Sequence, residues 1–184
     1  VTAVANPIDV DATESVVRSG HFAVRFVTRG VPVAQGSKSF KGVSRSGRAI
    51  LVESAKGLKP WRELVNRQMQ AAAAAVDVPP GGWPLLGPLA VQLVFTMPKP
   101  QAAPKRRRTW PIVKPDIDKL ARAVLDAGTG VLWHDDSHVV QLDVVKAYPA
   151  EHPYALPVPG LVGFVYQLDP PSVPAGVQYF GTQS

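Results

Sequence analysis

The chain has 184 residues, with 20 Lys+Arg against 14 Asp+Glu, a net charge of +6 and a pI near 9.8. That length suits one domain with room for a core, and the basic balance points to a polyanion, nucleic acid first, against the plainer reading of charge kept for solubility. The absence of cysteine excludes disulfides, thiolate zinc sites and a cysteine nucleophile; no apolar run approaches a membrane span, and the opening VTAVANPIDVDATESVV has no signal-peptide pattern, so a soluble cytoplasmic protein is the expectation.

Residues 1–19 show no sustained period and read as a loose tail. HFAVRFV (21–27) alternates Phe22, Val24 and Phe26 against Arg25, which predicts a strand. RGVPVAQGSKSFKGVSRSGR is punctuated by Gly, Ser and Pro and reads as a basic loop, followed by a short strand at 49–54. KPWRELVNRQMQAAAAAV (59–76) predicts a helix: Pro60 suits its first position, and Trp61, Leu64, Val65, Gln68 and Ala72 share a face. LAVQLVFTM (89–97) predicts a strand, and PKPQAAPKRRRTWPIVKP (98–115) a long loop carrying Lys105, Arg106, Arg107 and Arg108. A helix follows from about Asp118 to Ala127, stopped by Gly128 and Gly130. Strands are expected at 139–148 and 161–168, and the Pro-rich 169–184 as a frayed end. The order β-β-α-β-α-β-β within 20–168 makes the class α+β, with a mixed or mainly antiparallel sheet and two packed helices.

Six of the chain's ten aspartates fall in VKPDIDKLARAVLDAGTGVLWHDDSHVVQLDVVK, residues 113–146. In a helix, residues two apart diverge by about 200°. Asp116 and Asp118 therefore share a site only if Asp116 stands in a turn at the helix entrance. Asp118, Arg122 and Asp126 are spaced to line one helical face, opposite the apolar line of Ile117, Leu120 and Val124. Asp135 and Asp136 lie where a turn enters a strand. Carboxylates crowded together in a basic chain call for a divalent cation such as Mg²⁺ or Mn²⁺, which takes hard oxygen ligands and activates water against a phosphodiester. The plain alternatives are caps, turns and solvated surface. His134 and His138 flank the second pair and read more simply as surface residues than as ligands.

These residues resemble the RusA family of Holliday-junction resolvases, common among bacteriophages and prophages. The resemblance rests on PDIDKLARAVLDAGTGVLWHDDSHVVQLDVVK: a D-x-D opening a helix, an LDA-like end, a Gly-containing turn, then DD and a Val-rich strand. GVPVAQGSKSF and KPWRELV also resemble the N-terminal half of phage members, so the match spans roughly 21–168 and is specific over 114–146. It implies a RusA-like fold, a homodimer, and Mg²⁺-dependent nicking of four-way DNA junctions in the cytoplasm of a bacterial host, in recombination, repair or DNA packaging. Asp116, Asp118 and Asp136 fall on the family's essential aspartates, and Asp135 and Asp126 on frequent acidic positions. The family's functional lysine is replaced here by Arg122, and the nearest lysine, Lys119, lies on another face. DNA phosphates would be met by Lys38, Lys41, Arg45, Lys105, Arg106, Arg107, Arg108, Lys119 and Lys146.

Arg122 in place of lysine is the best support for a rival reading, a non-catalytic DNA-binding protein that keeps the fold. A phosphatase or nucleotide-sugar transferase built on D-x-D fits less well. Phosphatases of the haloacid-dehalogenase type place the motif directly after a hydrophobic strand, whereas VKP intervenes here, and no Rossmann-like alternation follows.

Overall fold

A computed structural model describes residues 20–36, 57–104 and 107–169 in full, and 38–43 and 49–53 through their backbone. The expected tails at 1–19 and 170–184, together with Arg45, Lys105 and Arg106, lie outside the described residues.

The chain order is β1 (Gly20–Arg29), β2 (Lys38–Val43), β3 (Ala49–Glu53), α1 (Leu58–Ala74), β4 (Leu89–Thr96), α2 (Ile117–Gly128), β5 (Val139–Ala147) and β6 (Gly160–Leu168). Four strands form one mixed sheet in the order β1-β6-β4-β5, with β4 and β5 parallel and the other pairs antiparallel. The α+β class holds, with one correction to the element order. The stretch read as a basic loop contains β2, which pairs with β3 in a separate two-stranded sheet. Its Ser, Lys and Gly content hides the strand, because the ladder is completed by backbone hydrogen bonds to β3 and needs no alternating apolar face.

β4 and β6 are the inner strands. Nearly every residue of LAVQLVFT and GLVGFVYQL is buried, as expected where both sheet faces are covered. One face packs Val91, Leu93 and Phe95 against both helices, through Trp61, Val65 and Met69 of α1 and Leu120 and Val124 of α2. On α1 the buried line is Leu58, Trp61, Val65 and Met69, so Gln68, expected on that face, turns outward. The other face buries Ala90, Val162, Phe164 and Tyr166 under the connector between β5 and β6, which contributes Tyr154 and Leu156. Burial there pushes the Tyr166 hydroxyl up to about 12.

Two close approaches require glycine. Gly163 leaves room for the Phe26 ring, and Gly128 leaves room for the buried indole of Trp133, whose Nε1–H donates to Leu125 O at 3.1 Å. The second contact closes the end of α2 and sets the turn that delivers Asp135 and Asp136 to β5.

Parallel neighbours cannot be joined by a tight turn. The crossover from β4 to β5 therefore holds the long loop, α2 and the acidic turn in one excursion. It gathers the basic loop and the D-x-D pair beyond the carboxyl ends of the two parallel strands.

Candidate active site

α2 begins one residue earlier than expected, with Asp116 in extended conformation at its N-cap position (φ −68°, ψ 141°) and Asp118 in the first turn. Asp116 makes no capping hydrogen bond. Its carboxylate instead accepts from Lys119 Nζ at 2.7 Å. That bond holds the Asp116 carboxyl below its usual range and raises the Lys119 ammonium above its own; Lys114 and Lys146 add to the effect on Asp116.

The approach to α2 is fixed from the sheet. Lys146, near the end of β5, donates to Val113 O at 3.0 Å and Pro115 O at 2.9 Å. These bonds tie the residues just before Asp116 to the strand. On the other side Gln35 N–H donates to Lys119 O at 3.0 Å.

Asp118, Arg122 and Asp126 are exposed, and Leu120, Ala121 and Val124 are buried, so the predicted polar face of α2 is real. Ile117, placed on the apolar line from the sequence, is 39% exposed at the helix entrance. Asp126 pairs with Arg62 of α1, an ion pair that no local spacing signals and that joins the two helices. Arg122 and Asp118 make no ion pair with another described residue.

Asp135 precedes a single 3₁₀ turn, Asp136–His138, and accepts the Ser137 N–H at 3.0 Å. Hydrogen bonding from Ser137 lowers its carboxyl below the usual range, with smaller help from His138 and His134. Asp135 thus shapes the turn, while Asp136 stands exposed at its start. The turn packs against α2 but stands before the amino end of β5, whereas the residues leading to Asp116 are tied to Lys146 near the carboxyl end of that strand, so the structure does not gather Asp136 and the D-x-D pair at one point. His134 and His138 stack on each other, ring centroids 5.9 Å apart.

Among the described residues, no three His, Asp or Glu side chains form a ready cluster for a metal ion. Carboxylate oxygen is the donor type that a hard divalent cation takes, although the described side chains do not converge on one point. Asp118 and Asp136 offer exposed carboxylates without a protein partner among the described residues, and Asp116 a third that Lys119 now occupies.

Of the expected DNA-contacting residues, Arg107 and Arg108 are exposed on the loop before α2, with the Arg108 guanidinium 4.5 Å over the Trp110 ring. Lys38 and Lys41 lie on the backbone of β2. Lys119 and Lys146 already hold Asp116 and the helix approach. The sequence reading missed this positioning role for Lys146; its place at the far end of the strand that begins with DD gave no signal of it.

The profile of the family described as Endodeoxyribonuclease RusA matches residues 30–155, which span β2 to β5 and every carboxylate considered above. The chain belongs to the RusA endodeoxyribonuclease family. A further similarity is to uncharacterized protein YqaN of Bacillus subtilis (strain 168), 30% identical over 139 residues that cover 70% of this chain and 89% of that one. RusA membership assigns the chain to the endodeoxyribonucleases. No helix among the described residues is long and apolar enough to cross a membrane.

Proposed function

We propose that this protein is a structure-selective endodeoxyribonuclease that resolves four-way DNA junctions in recombination and repair, acting as a homodimer with Mg²⁺, or Mn²⁺ in its place. The observation that carries the reading is the RusA-family match over an exposed D-x-D that opens α2 directly after an arginine-bearing loop, with the exposed Asp136 before β5 in the same matched stretch. Asp116, Asp118 and Asp136 would hold the cation, and Asp135 would support it from the turn. When bound, the cation supplies charge neutralisation on the phosphodiester and activation of water.

The chain's own residues do the rest. Lys146 keeps the helix entrance against β5, so the D-x-D pair is presented from a rigid element. Lys119 neutralises Asp116, and it would be free to meet the DNA backbone if a cation took its place on that carboxylate. Arg122, one turn along α2 from Asp118, supplies a fixed positive charge for the transition state and cannot exchange a proton near neutral pH. A four-way junction has approximate two-fold symmetry, so a symmetric dimer with one site per subunit matches two paired cuts.

Labelled junction, linear duplex and mononucleotide, each incubated with and without Mg²⁺, test this directly. Paired nicks in the junction only when Mg²⁺ is present are expected. Junction binding without cleavage in either metal would select the second reading, a non-catalytic DNA-binding protein that keeps the fold.

A further inference from the structure

β4 and β5 run parallel, so the loops leaving their carboxyl ends, 97–116 and 148–159, emerge on the same edge of the sheet. Crevices beyond the carboxyl ends of parallel strands are common ligand sites in open α/β sheets. Here the crevice is a cleft of about 760 Å³ lined by Lys99, Arg107, Arg108, Glu151 and His152. That volume is within the range that holds a small organic ligand, roughly 300–1,000 Å³. None of the aspartates at the candidate active site lines it.

The charges in the cleft are not equivalent. Glu151 accepts from Lys99 Nζ and, at 2.9 Å, from the Thr109 N–H, so the lysine is neutralised and the loop is pinned. Arg107 and Arg108 are left as the uncompensated cations of the lining, and Arg108 is steadied over Trp110. His152 Nδ1 accepts from the Tyr154 N–H at 3.2 Å, so the neutral ring carries its proton on Nε2 and is a donor there. Two guanidinium groups and an imidazole N–H in one cleft make a site for a phosphate oxygen. The cleft volume exceeds what a phosphate alone would fill.

We propose that this cleft is a second DNA-strand subsite, in which Arg107, Arg108 and His152 bind a backbone phosphate while the adjoining nucleoside fills the remaining space. The proposal rests on the endonuclease reading for the source of the phosphate, and a lining that includes none of Asp116, Asp118, Asp135 and Asp136 sets the cleft apart from the proposed cleavage centre. Burial lowers the His152 pKa, Arg108 lowers it further, and Asp143 opposes them. The Lys99–Glu151 pair and Arg107 are the other titratable groups that line this cleft, and the Tyr154 ring lies 5.9 Å from that of His152. A bound phosphate offsets Arg108, so binding should raise the His152 pKa and strengthen as pH falls through the imidazole range.

Fluorescence anisotropy in EDTA, with a labelled ten-nucleotide single strand and a four-way junction, separates binding from cleavage. Arg108→Ala and His152→Ala should each weaken single-strand binding by about tenfold, and Arg108→Ala should lower the log–log salt slope by about one. Arg67→Ala, on the exposed side of α1, should change neither. In the parent protein, NMR titration of the His152 ring should show its pKa rise on saturation with the oligonucleotide. Parent-like affinity in both cleft variants, or His152 signals unmoved by saturating oligonucleotide, would overturn the subsite while leaving the nuclease reading intact. Inorganic phosphate binding as tightly as the oligonucleotide would assign the cleft to a free anion and overturn it as well. A parent protein that binds DNA of no shape would remove both the subsite and the endonuclease reading.

Discussion

Asp116 and Asp118 are two residues apart but occupy different electrostatic settings. Lys119 holds the first, and no described residue pairs with the second. We expect Asp116→Asn, Asp118→Asn and Asp136→Asn each to abolish cleavage while leaving junction binding intact or tighter, because each loses a proposed cation ligand and a charge that repels phosphate. Asp116→Asn should tighten binding most, since it also frees Lys119. Gel-shift affinities beside single-turnover rates give both numbers, and near-parental nicking by any variant would remove that residue from the site. Arg122 stands without an ion-pair partner among the described residues because Asp126, the acid one turn beyond it, is taken by Arg62. An exposed, unpaired guanidinium beside Asp118 suits a role as a fixed charge. Arg122→Lys should retain most activity and Arg122→Ala should lose on the order of a hundredfold, as for removal of one electrostatic donor. If Arg122→Ala cleaves as fast as the parent, the residue only solvates the helix.

At the scale of elements, the loop before α2 is held down by Glu151, and that latch has a sign in pH. The Lys99 bond, then the Thr109 N–H, depress the Glu151 pKa below its ordinary 4.5. A depressed folded pKa contributes stability above the unfolded value, and that contribution fades as pH falls through the folded one. The melting-temperature gap between the parent and Glu151→Gln should therefore be steady at neutral pH and close progressively below about pH 4.5; a gap independent of pH would mean that the latch does not depend on charge. Gly128 tests the other end of the excursion. A β-carbon there would run into the buried Trp133 ring, and Gly128→Ala should cost about 1–3 kcal/mol, as overpacking does, measured by denaturant unfolding. Neither contact is written in local sequence pattern. The apolar period of α2 and the D-x-D to DD spacing are short-range signals, and they announced the helix, its exposed acidic face and the family. The Thr109–Glu151 and Arg62–Asp126 contacts join residues 42 and 64 positions apart, and β2 owes its existence to β3, so periodicity within a window could not reveal them.

For the whole molecule, the proposed homodimer with one cleavage centre per subunit implies that two strands are cut by two chains. Mixing the parent with excess Asp118→Asn should form heterodimers that nick one strand of a junction and leave the other whole, seen as paired products falling with the square of the parent fraction while singly nicked junction accumulates. Retained paired cutting in the mixed population would mean that one centre serves both strands. The sheet order has its own consequence for how the protein comes into being. β6 lies between β1 and β4, and it is β1's partner along the whole strand, Gly20 opposite Leu168 and Arg29 opposite Gly160. During synthesis β1 emerges first and must wait for roughly 140 further residues before that partner exists, about 7–28 s at 5–20 residues per second. Throughout that interval the nascent chain shows the ribosome's surroundings an unzipped sheet margin bearing Val24 and Phe26, so chaperone demand should persist until β6 leaves the exit tunnel.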